Sequence, residues 1–175
     1  MGAAGRSSHG SRNERGSGRD GRLRSRAAVT TALPDPVPGL VIRYAYLWRS
    51  EKRAGLEEGR KDRPCVVVVA VRRERGETKV VVSPITHTVP EDPSCAVEIP
   101  PSTKARLSLD DERSWIVTDE VNVFTWPGPD LRIVDREDPA RRFAYGFLPK
   151  GLTKAVIESL RVQTKAGSTK AVDRD

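Results

Sequence analysis

The sequence is poor in cysteine. Cys65 and Cys95 are the only two in 175 residues, and neither sits in a CxxC pair or beside a histidine-rich stretch. That excludes a disulfide framework and a zinc set of ordinary spacing. No run of about 18 apolar residues occurs, so no transmembrane helix is expected. A basic start followed by an apolar core is also missing near Met1, which argues against a secretory leader and for a cytoplasmic location. Aromatics are few, with three Trp, three Tyr and three Phe, and most should be needed in the core. No internal repeat is visible.

What is abundant is charge. Charged residues make up 31% and hydrophobic residues 37%, with a net charge of +7 and an isoelectric point of about 9.8. The excess is uneven, because residues 1–37 carry seven arginines against Glu14, Asp20 and Asp35, leaving only +3 for residues 38–175. The Gly, Ser and Arg composition of residues 1–37 cannot bury enough apolar area to offset chain entropy, so a disordered tail is expected there. It could add nonspecific attraction to phosphates or be idle.

Folded sequence is expected from the Pro34–Gly39 cluster onward. Leu40–Trp48, rich in β-branched and aromatic residues, reads as a first strand. A charged loop over 49–62 leads to Pro64–Val71, an apolar run suited to a strand buried on both faces, with Cys65 as an inert core residue. Lys79–Ser83 returns as its hairpin partner, and Pro84, lacking an N–H, should end regular pairing. Ala96–Ile99, Ser114–Thr118 and Glu120–Phe124 add short strands, and a helical turn is expected within Pro101–Asp111. Leu152, Val156 and Leu160 recur every four residues, giving one amphipathic helix after Pro149. Residues 164–175 read as a polar tail. The whole is mostly β (α+β): a small, partly open β-barrel of five to seven strands over 38–163 with a C-terminal helix.

The stretch Glu57–Val69, with Arg63-Pro64 entering a valine run, followed by Val81-Val82-Ser83-Pro84-Ile85-Thr86, resembles the two signature segments of the PemK/MazF toxin family. Ala96–Ile99 and Trp115–Phe124 fall where that family has later strands. The resemblance covers roughly Pro38 to Leu131. It implies an SH3-like barrel, usually a homodimer, that cuts single-stranded RNA without metal or cofactor by attack of the ribose 2′-hydroxyl. It also implies an antitoxin protein as partner and no membrane association.

Arg63 is the residue that the resemblance assigns to the developing phosphoryl charge, a role suited to a permanent, bidentate cation. Taken alone, Arg63 reads first as a surface arginine paired with Asp62 or Glu58, and only the ordered motif reverses that. Thr86 matches the family's Thr after the second strand, and its hydroxyl could contact the scissile phosphate or the 2′-hydroxyl. Otherwise it is a strand-end Thr. His87 is a candidate general acid or base and Asp119 a candidate base or orienting group, against a loop histidine and a turn carboxylate. Arg60 and Lys61 could contact RNA, and Trp48 and Trp126 could stack on bases. Leu56 and Val117 stand where PemK-type members carry His and Arg. That departure keeps an alternative open: a noncatalytic barrel, either a CcdB-like inhibitor of gyrase or a plain RNA-binding module.

Overall fold

The computed structural model describes residues 33–73 and 76–175; residues 1–32, most of the expected N-terminal tail, lie outside them. The fold grows from β1 (Leu40–Ala45), β2 (Asp62–Arg72) and β3 (Thr78–Thr86), joined antiparallel in that order. Neighbouring apolar residues of these strands serve opposite faces, as the two-residue strand period requires. Val41 and Val66 pack with Ile85, Leu107, Val156 and Leu160. Ile42 and Cys65 pack with Tyr44, Tyr46, Val82 and Phe124 on the other side. A continuous valine run therefore satisfies two cores at once, and each fully buried side chain contributes about 1.5–3 kcal/mol.

Both outer strands of this trio divide their free edge between two partners. Lys79–Val82 of β3 pairs with β6 (Glu120–Thr125), whereas Ile85 and Thr86 pair with β5 (Trp115–Val117). On the far side, β1 pairs first with β8 (Ala144–Phe147) and then with β7 (Leu131–Arg132). β4 (Ala96–Glu98) extends the sheet beyond β5. The sheet is open rather than closed into a barrel.

Three α-helices and two short 3-10 turns, Pro93–Cys95 and Pro139–Arg141, complete the described residues. α1 (Arg49–Arg53) is a single turn in what reads as a loop, and α2 (Pro101–Arg106) is the expected short turn. α3 (Lys150–Lys165) is the expected amphipathic helix, and it buries Val156 and Leu160 against the first core. No helix among the described residues is long and apolar enough to cross a membrane.

Three expectations need correction. Pro84 ends pairing with β2, where Cys65↔Pro84 is the last pair, but not the strand: Ile85 and Thr86 continue onto β5. A missing N–H breaks one ladder only. Residues 164–175 are not a tail, because Lys170–Asp173 forms β9, parallel to β6, after a turn through Gly167 at φ 71°. The sequence hides this strand because Val172 is its one buried side chain. Ion pairing supplies the rest: Arg174 binds Asp130 at 2.6 Å with both side chains almost fully buried, and Asp175 holds Lys79 and the Thr125 backbone and hydroxyl. Thirdly, nine strands are present among the described residues rather than five to seven, the additional ones being two to four residues long.

Candidate functional site

Arg63 is the second residue of β2 and lies opposite Tyr44 of β1. Alternation puts it on the same face as Cys65 and Val67, at the end of the Tyr44–Phe124 core. Trp48, three residues beyond β1, packs edge-on against Tyr46 with ring centroids 4.9 Å apart. The Arg63 guanidinium lies over the Trp48 ring at 5.0 Å from its centroid. The loop between them depends on Gly59, where a Cβ would collide with the Tyr46 carbonyl oxygen.

The pairing of Arg63 with Asp62 does not occur. Asp62 points to the other face, where Arg43 and Arg132 hold it at 3.2 and 3.5 Å. Among the described residues the Arg63 guanidinium has no carboxylate partner, and its Nε is buried without an acceptor. The Tyr46 hydroxyl, within reach of the Arg63 charge, is also buried and unpartnered, and burial pushes its phenol far above the ordinary range, so it stays a donor. Two buried donors without acceptors carry a desolvation cost of roughly 1–3 kcal/mol each.

Thr86 approaches from β3. The β2–β3 register ends at Cys65↔Pro84, and continuing it by two residues sets Thr86 level with Arg63. The Thr86 hydroxyl oxygen accepts the Thr88 N–H at 3.1 Å, which leaves the hydroxyl hydrogen to donate. One cavity of about 440 Å³ is lined by Lys61, Arg63, Thr86, His87, Lys104 and Ser114, among others. A second, also about 440 Å³, is lined by Trp48, Thr86, Cys95, Trp115, Val117 and Asp119, among others. Thr86 and Thr88 line both, so the two hollows adjoin at these residues.

His87 stands at the rim between two carboxylates, with Nε2 3.0 Å from Asp110 and Nδ1 3.6 Å from Glu112. Beneath it, Lys104 is almost wholly buried and donates to Asp110 and Ser114 Oγ, both at 2.6 Å, and to the Glu112 carbonyl. The hydrogen bond from Lys104 holds the Asp110 carboxyl below the usual range. Asp119 sits in the second cavity, 3.7 Å from Lys170 of β9. Its neighbour Glu120 is raised by burial although it accepts the Arg49 N–H at 2.6 Å.

The structure thus gathers Arg63, Thr86, His87 and Lys61 in one hollow and Trp48 and Asp119 in the adjoining one. It does not bring in two other candidates. Arg60 is exposed, 4.0 Å from Glu51, and Trp126 packs on Phe124 in the second core; neither lines these cavities. Lys104 and Trp115 were missed as site residues. Only Trp115 carried a signal, as an aromatic on a short strand; nothing local marks Lys104 as buried. Among the described residues, no group of three or more His, Cys, Asp or Glu side chains is placed to hold a metal ion.

No protein-family model matches the chain, and no curated protein is significantly similar to it. What the site can do follows from its chemistry: a fixed planar cation and a free hydroxyl for an oxyanion, beside a hollow walled by two tryptophans and edged with carboxylate. That combination suits a single nucleotide strand, with phosphate at Arg63 and bases against indole.

Proposed function

We propose that this chain is a sequence-selective single-strand endoribonuclease with an SH3-like barrel of the PemK/MazF kind. It acts in the cytoplasm as a homodimer and is silenced by an antitoxin protein that covers the RNA groove. The observation that carries this reading is the Arg63 guanidinium, held on Trp48 without a carboxylate partner and level with the Thr86 hydroxyl.

In the proposed reaction the ribose 2′-oxygen attacks the adjacent phosphorus. The O2′–P bond forms, the P–O5′ bond breaks, and the products are a 2′,3′-cyclic phosphate and a 5′-hydroxyl. Charge grows on the phosphoryl oxygens, which Arg63 stabilises bidentately while Thr86 donates to one of them. The 2′-hydroxyl proton passes to Asp119 or His87, and the leaving 5′-oxygen takes up a proton from the other or from water. Neither a cofactor nor a metal is required by this scheme. Incubation with mixed-sequence RNA in EDTA should give fragments with those termini; 3′-hydroxyl ends, or intact RNA at every protein concentration, would exclude the mechanism.

A noncatalytic RNA-binding barrel is the second reading. It is favoured by the engagement of Asp119 with Lys170 and of His87 with two carboxylates, which leaves neither group free as drawn.

A further inference from the structure

Asp62 lines a third hollow as well as the Arg63 cavity. This hollow, of about 540 Å³, lies on the opposite face of β2 from the Arg63 side chain and is lined by Arg43, Asp62, Leu131, Arg132, Val134 and Arg136, among others. Arg43 and Arg132 occupy directly facing positions of β1 and β7. Like charges directly opposite on adjacent strands destabilise a sheet, so this pairing is a cost to the fold. Asp62 offsets it in part by sitting between them at 3.2 and 3.5 Å. Arg132 also donates to the Pro129 carbonyl at 2.7 Å, and Arg43 to the Ile133 carbonyl at 3.4 Å. These contacts fix both guanidinium groups at the mouth. Arg136 is exposed and, among the described residues, has no ion-pair partner. Arg132 also lies 3.9 Å from Asp130, but that carboxylate is buried and already held by Arg174 at 2.6 Å. Three arginines therefore face Asp62 as the one carboxylate lining the concave surface, and the surplus charge calls for an anion.

We infer that this hollow binds a backbone phosphodiester of the same RNA strand, flanking the one held at Arg63. The inference rests on the nuclease reading only for the identity of the strand. Lys61, Asp62 and Arg63 are consecutive, so a strand leaving the Arg63 cavity passes Asp62 and reaches Arg43, Arg132 and Arg136 without crossing the body of the sheet. Asp62 acts as an internal counterion that the phosphate displaces. Such contacts carry no base information; they add affinity and fix the strand's register.

The test is binding of 2′-O-methyl RNA, which cannot be cleaved, to the full chain by fluorescence anisotropy over a salt series. Arg136→Ala, which removes no ion pair seen among the described residues, should weaken a decanucleotide about fivefold and lower the salt slope by roughly 0.7, the value for one phosphate contact on a single strand. Binding of a dinucleotide should not share that loss. Asp62→Asn should act in the opposite sense and tighten the decanucleotide. Unchanged decanucleotide affinity in Arg136→Ala and in Arg132→Gln, or an equal loss for both lengths, would overturn the inference. If wild-type protein cuts RNA and these variants bind normally, the hollow fails and the nuclease reading stands. If nothing is cut yet the variants lose affinity for the longer strand, the nuclease reading fails and the hollow stands.

Discussion

The Arg63 guanidinium lies 5.0 Å from the centroid of the Trp48 ring, and no carboxylate among the described residues shares it. An arginine held by a π face keeps its charge and its N–H fork available, whereas one held by aspartate has spent both. The adjacent Asp62 is kept away by Arg43 and Arg132 on the other face of the strand. Trp48 should therefore matter twice. Trp48→Ala is expected to weaken single-strand RNA binding by about 1–3 kcal/mol through lost base stacking and a loosened Arg63. Trp48→Phe should recover part of it; equal affinity in all three proteins would remove Trp48 from the groove.

The Lys104–Asp110 pair gives a pH dependence with a definite sign. Because Lys104 lowers the folded-state pKa of Asp110, the stability this carboxylate contributes is fully present above the ordinary aspartate range and is lost as pH falls from there through the lowered folded-state value. Asp110→Asn should cost about 1–2 kcal/mol near neutral pH, leaving the buried Lys104 with only Ser114 and the Glu112 carbonyl. The gap to wild type in thermal denaturation should shrink below about pH 4. A gap that stays constant down to strong acid would show that the charge of Asp110 contributes nothing.

The C-terminal strand should be a structural part of the domain. Arg174→Ala leaves the buried Asp130 with Arg132 at 3.9 Å and the Tyr44 hydroxyl at 3.5 Å, and is expected to cost about 3 kcal/mol. Denaturant titration checks this. Retention of full stability in a chain ending at residue 167 would contradict the role assigned to β9.

The two thiols should differ in reactivity. Cys65 is fully buried, and burial pushes its thiol well up, whereas Cys95 is half-buried at a cavity wall with a smaller upward shift. Native protein should take up one equivalent of a thiol reagent slowly at pH 8, and the second only after denaturant is added. Rapid labelling of both would mean that the β1–β2 core opens readily.

Much of the fold could be read from the sequence, because the valine run of β2, the return strand β3 and the four-residue spacing of α3 are strong periodic signals. β9 could not, since its stability comes from Arg174 and Asp175 meeting Asp130, Lys79 and Thr125, forty or more residues away in the chain. Within the site, Arg63 and Thr86 were paired through the family resemblance alone; the register that sets them level belongs to the structure, because Pro84 was expected to end regular pairing. The lysine below them was not legible, as burial of Lys104 depends on Asp110, Glu112 and Ser114 folding back over α2. Trp126 shows the converse. Its setting in a Pro-Gly turn suggests exposure, yet it packs on Phe124.

The most direct test is cleavage of mixed-sequence single-stranded RNA in EDTA by wild type, Arg63→Ala, Arg63→Lys and Thr86→Val, each first shown to be folded by circular dichroism. Wild type should produce 2′,3′-cyclic phosphate ends, Arg63→Ala should be slower by about 10²–10³, and Arg63→Lys should recover little because it lacks the bidentate fork. Thr86→Val should fall between wild type and Arg63→Ala. Cleavage by Arg63→Ala at the wild-type rate, or none by the wild type, would contradict the account.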